Sequence, residues 1–213
     1  MPKLFYKTIT QQSTYEIPKI KGSRFFATLF PIESKEQAEE YLVQIKKQYH
    51  DATHNCSAYK VGVNLHYDLF GTAIIDPAYK KVNDDGEPAN TAGKPILSVL
   101  DGAGLQNILC VVTRYFGGTL LGVGGLIQSY SHTAKESLSH SQLVDKEITS
   151  QVSLAYDYDQ VSLVQHLFSK YDAKVISDSY DQNIKQIVEI NIGFINDFKK
   201  ELSEKSNGKI NIK

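Results

Sequence analysis

Cysteine is scarce: Cys56 and Cys110 are the only two thiols in 213 residues. Two thiols build no disulfide framework, so the reading is a reduced, cytoplasmic protein. Long apolar runs are missing. The longest unbroken aliphatic-and-cysteine stretch is Ile108–Val112, far below the roughly 18 residues of a membrane helix. No membrane partner is expected. The opening Met1-Pro2-Lys3-Leu4-Phe5-Tyr6-Lys7 has neither an apolar core nor a small-residue cleavage site, which excludes a signal peptide. An excess of positive charge is also lacking. Lys and Arg total 23 against 24 Asp and Glu, a net charge of −1. That excludes a protein coating nucleic acid through diffuse attraction, so any such contact uses a local patch. What remains, 41% hydrophobic and 22% charged residues, is the composition of an ordinary globular protein.

Glycine and proline are unevenly placed. All six prolines lie at or before Pro95, and only Gly193 and Gly208 among 14 glycines follow Gly125. The polar stretch Ser137-Leu138-Ser139-His140-Ser141-Gln142 marks the change, and a boundary is placed there: domains 1–140 and 141–213. The first part mixes strands and helices. Arg24–Phe30 and Asn55–Val63 read as strands. Ser34 with Gln37 forms a capping-box pattern ahead of Ala38, Tyr41, Leu42, Ile45 and Tyr49 at helical spacing. Pro95 suits the first turn of a short helix through Leu100. Asn107–Thr113 is a continuous apolar strand expected to be buried on both faces. Leu126, Tyr130, Ala134 and Leu138 make one helical stripe. In the second part Val152–Tyr156 alternates as a strand, and Val161, Val164, Phe168 and Tyr171 are helical. Ala173–Ser177 and Ile184–Ile192 are strands, Asn196 caps a helix ended by Gly208, and Lys209–Lys213 is an edge strand. The order β-α-β-β-α-β is the ferredoxin-like plan. The fold class is therefore α+β.

Two segments carry the candidate chemistry. Asn83–Pro95 holds Asp84, Asp85 and Glu87 within four residues, in a loop bounded by turn signals. It reads either as a polar connection or as a site loop. Thr113-Arg114-Tyr115-Phe116-Gly117-Gly118 leads through Gly122, Gly124 and Gly125 into a helix. Such a start suits an anion, or else tight packing of helix on sheet. Gly117 to Gly122 has P-loop spacing, but Val123 replaces its lysine, and no Gly-x-Gly-x-x-Gly or Gly-x-Ser-x-Gly occurs. No cofactor is called for. Only two of the 23 basic residues are arginines, Arg24 and Arg114, and both lie beside unusual segments. Arginine gives bidentate recognition of phosphate that lysine does not copy; the bland reading is a structural ion pair. His50 and His54, four apart, lack a third and fourth zinc ligand, so no metal is assigned. His54 and Cys56 share a strand face, but a small buried cysteine is the stronger reading. The open face of the long carboxy-terminal strand, Lys185, Ile187, Glu189 and Asn191, lacks the aromatics of an RNA-recognition motif.

Lys21-Gly22-Ser23-Arg24-Phe25, Ala52-Thr53-His54-Asn55-Cys56, Asp84-Asp85-Gly86-Glu87-Pro88, Thr91-Ala92-Gly93, Thr113–Gly118 and Leu121–Leu126 appear in one order. Together they resemble the YigZ/IMPACT family over nearly the whole chain. The resemblance implies an amino-terminal domain similar to domain 2 of ribosomal protein S5. It implies a carboxy-terminal domain similar to domain V of elongation factor G. Both of those work on RNA or the ribosome. Eukaryotic members restrain a translation-control kinase by competing for its activator. They carry an extra amino-terminal interaction domain, whereas this chain opens at the shared region, so that partner is not expected here. Gln128 stands where the family often has a basic residue. The expectation is a non-catalytic, translation-linked, cytoplasmic regulator that binds RNA or the ribosome, with a regulatory protein as a further partner class. The rival is an enzyme acting on a phosphorylated or anionic small molecule. The site is expected to gather Lys21, Ser23, Arg24, His54, Asn55, Asp84, Asp85, Glu87, Arg114 and Gly117–Gly125 on one concave surface.

Overall fold

The computed structural model describes residues 3–67 and 73–213. In chain order its elements are β1 (Phe5–Ile9), β2 (Ser13–Glu16), β3 (Arg24–Pro31), α1 (Lys35–Gln48), β4 (His54–Tyr67), β5 (Ala73–Asn83), α2 (Gly93–Gly102), β6 (Ile108–Tyr115), α3 (Gly122–Ser139) and β7 (Leu143–Glu147). There follow β8 (Thr149–Tyr156), α4 (Val161–Tyr171), β9 (Lys174–Tyr180), β10 (Ile184–Asn191), α5 (Ile195–Lys205) and β11 (Asn211–Ile212). The chain divides into two compact units, Tyr6–Lys146 and a second built from Met1–Phe5 with Glu147–Lys213. This differs from a cut at 140/141. Ser137 and Leu138 are buried in α3, and β7 then pairs with β1.

In the Tyr6–Lys146 unit a five-stranded antiparallel sheet runs β2-β3-β6-β4-β5. Its central strand β6 is buried along seven of eight residues, as a continuous apolar run requires. Alternation sends Ile108, Cys110 and Val112 to one face, where Leu100 of α2 and Leu126, Tyr130 and Ala134 of α3 pack on them. Leu109 and Val111 go to the other face, against Ala38, Leu42 and Ile45 of α1. Each aliphatic side chain so buried stabilises by roughly 1.5–3 kcal/mol. Ser34 Oγ accepts the Gln37 N–H at 3.1 Å and starts α1. Gln37 Oε1 accepts the Glu33 N–H at 2.7 Å rather than that of Ser34, so the reciprocal cap is shifted by one residue.

In the second unit the order is β-α-β-β-α-β and the antiparallel sheet runs β11-β8-β10-β9, the ferredoxin-like plan. Val152, Leu154, Val164, Val188, Ile190, Phe198 and Leu202 form its core. Asn196 does not cap α5. The Asn191 side chain instead accepts the Gly193 N–H in a 3-10 turn, and α5 follows directly from Phe194. The elements β1, β2, β5 and β7 have no counterpart in the sequence reading.

Candidate functional site

The register of the five-stranded sheet decides which candidates meet. On β6, Arg114 stands opposite His54 of β4 and Phe25 of β3, whereas Arg24 stands opposite Tyr115. Because neighbouring residues on a strand point to opposite faces, Arg114 and His54 share the α2–α3 face. Arg24 lies on the α1 face. This corrects the expectation of one surface bearing both arginines. Arg24 makes a bidentate pair with Glu16, both contacts at 2.7 Å, over the rings of Phe26 and Tyr115. Asn55 also leaves the cluster, with its Oδ1 accepting the Thr113 hydroxyl at 2.8 Å. Lys21 is exposed in a left-handed turn with φ of 45°.

The three carboxylates of the 84–87 loop have three separate jobs. Asp84 Oδ1 accepts the N–H groups of Ala92 (3.0 Å) and Gly93 (2.8 Å), while Oδ2 accepts that of Asn90 (2.8 Å). It serves the first orphan donors of α2, which has no side-chain cap at Ala92. Asp85 Oδ2 accepts the Asn55 N–H at 2.7 Å and Oδ1 pairs with Lys46 at 2.7 Å. Burial pushes the Asp85 carboxyl up, but Lys46 and the Asn55 N–H outweigh it and hold the group below its ordinary range. Glu87 turns inward. Its Oε1 meets Arg114 Nη1 at 2.5 Å and accepts the Tyr130 hydroxyl at 2.8 Å, with His54 Nε2 at 3.7 Å. Arg114 Nη2 donates to Ser23 Oγ at 3.4 Å, and its Nε has no acceptor among the described residues. The sequence reading missed Tyr130: it belongs to the apolar stripe of α3, and only its hydroxyl signals a buried polar partner.

His54 is oriented by its other nitrogen. Nδ1 lies 2.8 Å from the Asp85 carbonyl oxygen. A carbonyl only accepts, so Nδ1 carries the proton and Nε2 of the neutral ring is left as an acceptor. Cys56 Sγ donates to the Asp84 carbonyl at 3.0 Å and to the Tyr130 hydroxyl at 3.3 Å. Burial pushes its thiol up to about 12, so it is a packed thiol and not an activated nucleophile. Among the described residues no group of three His, Cys, Asp or Glu side chains is placed to hold a metal.

The glycines have distinct causes. A Cβ on Gly117 would stand 1.9 Å from the Gly22 carbonyl carbon, so this pair lets two backbones touch. Ser23 Oγ accepts the Gly117 N–H at 3.2 Å in the same crossing. Gly118 and Gly122 have φ of 86° and 74°, with open space around them. Gly124 meets nothing, and Gly125 packs on Leu121. The result is a loop and helix start that present Phe116, Leu120 and Val123, which are 45%, 83% and 61% exposed. They rim a cleft of about 420 Å³ whose walls include His54, Glu87, Pro88, Arg114 and Leu126. His54, Glu87 and Arg114 thus converge. Arg24, Asn55, Asp84 and Asp85 do not line this cleft.

The architecture is that of a two-unit α+β protein with a cleft at the end of the central strand of its larger unit. The Impact N-terminal domain model matches residues 21–138, and a domain of unknown function (DUF1949) matches residues 154–209. The chain belongs to the IMPACT family. It is 35% identical to the IMPACT family member YvyE of Bacillus subtilis, over 98% of this chain and 90% of that protein. It is 38% identical to an IMPACT family member of Haemophilus influenzae, over 90% of this chain and 88% of that one. A crystal structure of a hypothetical protein is similar with a TM-score of 0.68 at 28% identity, covering 100% of this chain and 97% of that one. No described helix is long and apolar enough to cross a membrane.

Proposed function

We propose that the chain is a translation-linked cytoplasmic regulator that binds RNA or the ribosome without catalysing a reaction. Family membership supports the link to translation through the resemblance set out above. We further propose that the larger unit is related to domain 2 of ribosomal protein S5 and the smaller to domain V of elongation factor G. The observation that carries the binding reading is the exposed apolar rim of Phe116, Leu120 and Val123 over an ion pair already neutralised within the protein. Exposed apolar side chains grouped on one rim mark interaction sites. Acid–base chemistry needs free groups within reach of a substrate. Asp84 and Asp85 are occupied by backbone N–H groups and Lys46. The experiment is co-sedimentation with ribosomal particles on sucrose gradients at several salt concentrations. The wild-type chain is expected to co-migrate, and Phe116→Ala with Leu120→Asp to stay at the top.

A second reading has one specific observation in its favour: His54, Glu87 and Arg114 do meet in one cleft. Under it the chain binds a small anionic substrate. A wild-type chain that ignores ribosomal particles yet binds a phosphorylated metabolite, with loss in Arg114→Lys, would replace the first reading.

A further inference from the structure

We infer that the cleft seats a single unstacked nucleotide of RNA, with its ribose 2′-hydroxyl donating to His54 Nε2 and its base lying against Phe116 and Leu120. The inference rests on the RNA reading above and narrows it to one contact.

Three observations fix the ligand class. First, the cleft of about 420 Å³ has the size of a site for one small ligand and not of a track for a strand. Second, its charged groups cancel. The Arg114 guanidinium is bound to Glu87, and both side chains are more than nine-tenths buried. A phosphate has no free cation to meet there, whereas a ribose and a base need none. Third, the His54 ring is held in one orientation in the cleft. The Asp85 carbonyl accepts the Nδ1–H hydrogen bond, so in the neutral ring Nε2 carries the lone pair, and His54 lines the cleft beside Glu87. A hydroxyl fits such an acceptor, and the 2′-hydroxyl is the group that separates RNA from DNA. Beside it the half-exposed Phe116 ring and the Leu120 side chain offer an apolar surface on which any base face can lie.

A peptide side chain would also fit an apolar rim, but it would leave the oriented His54 acceptor without a purpose. A free nucleotide would bring two or more phosphate charges beside the buried Glu87. A nucleotide within a strand places its phosphates outside the cleft, where solvent screens them.

The test is fluorescence anisotropy of a labelled mixed-sequence RNA 10-mer and its all-deoxy counterpart, with the full chain at moderate salt. The wild-type chain is expected to bind the RNA about tenfold more tightly than the DNA. His54→Asn keeps a side-chain N–H for the Asp85 carbonyl and removes the Nε2 acceptor. It is expected to bring the RNA-to-DNA ratio to about one. Phe116→Ala changes an exposed ring and is expected to weaken both ligands at least about fivefold. Equal binding of RNA and DNA by the wild-type chain, or an RNA preference that survives in His54→Asn, overturns this inference and leaves RNA binding standing. Absence of binding to either strand overturns both.

Discussion

Arg114 and Glu87 meet at 2.5 Å with side chains only 6% and 4% exposed. Removing one partner of such a pair leaves a buried charge without compensation, which costs about 3–5 kcal/mol. Arg114→Ala is therefore expected to lower unfolding free energy by that amount in urea titrations. The double change Arg114→Met with Glu87→Leu is expected to cost clearly less. Equal losses would mean that the pair is not coupled. Asp85 sets an acid limb. Its folded carboxyl is held below the ordinary value near 3.9, so its stabilisation is complete above about pH 4 and fades as pH falls through the lower folded value. The stability gap between wild type and Asp85→Asn, followed by denaturation at a series of pH values, is expected to be constant near neutrality and to close below about pH 4. Cys56 and Cys110 are buried, with burial pushing each thiol up to about 12. Both are expected to react with a thiol reagent only on unfolding, so rapid labelling of the native chain would contradict their placement. Part of this was legible in the sequence: His54, Glu87 and Arg114, all in segments singled out there, line one cleft, whereas Asp84 and Asp85 serve backbone N–H groups elsewhere. What sequence did not reveal is parity. Arg24 pairs with Tyr115 and not with Arg114, and that one-residue offset moves it to the other face.

At the scale of elements the glycine-rich loop between β6 and α3 gives the sharpest contrasts. Gly117→Ala forces a Cβ to within 1.9 Å of the Gly22 backbone, so the loop crossing must open and the cleft with it. Gly118→Ala meets open space and loses only about 1–2 kcal/mol for its left-handed backbone. Gly124→Ala lies in the helix with nothing near its Cβ and is expected to stabilise by up to about 1 kcal/mol. Thermal melts of the three variants should rank Gly124→Ala, Gly118→Ala and Gly117→Ala in falling order. A benign Gly117→Ala would remove the packing account of this loop. Helical stripes and the run of β6 were readable because their periods are local. The short strand β7 was not, since it pairs with β1 at the far end of the chain, and the four-residue β2 is too short to show a period of its own. Asp84 was readable as an acid but not as the server of α2, because the N–H groups it accepts come six to nine residues later.

Across the whole molecule the buried clusters fall in two units, two in the larger and one in the smaller. Leu4 belongs with the smaller unit: its N–H donates to Asn191 Oδ1 at 2.9 Å, and its carbonyl accepts from Asn191 Nδ2 at 3.0 Å. A fragment 147–213 made alone leaves the buried Asn191 amide without these partners, a loss of about 1–3 kcal/mol. Adding a peptide of residues 1–8 is expected to raise its melting temperature. Charge is balanced at this scale, and both arginines are paired within the protein. RNA affinity should therefore depend weakly on salt, with a log–log slope no steeper than about −1.5, the equivalent of roughly two phosphates. The most direct measurement is ultraviolet crosslinking in living cells, followed by identification of the crosslinked RNA and of the peptide that carries it. The account predicts RNA attached within the Tyr115–Val123 segment and its loss in Phe116→Ala; recovery of the chain without RNA, or with RNA attached only elsewhere, would contradict it.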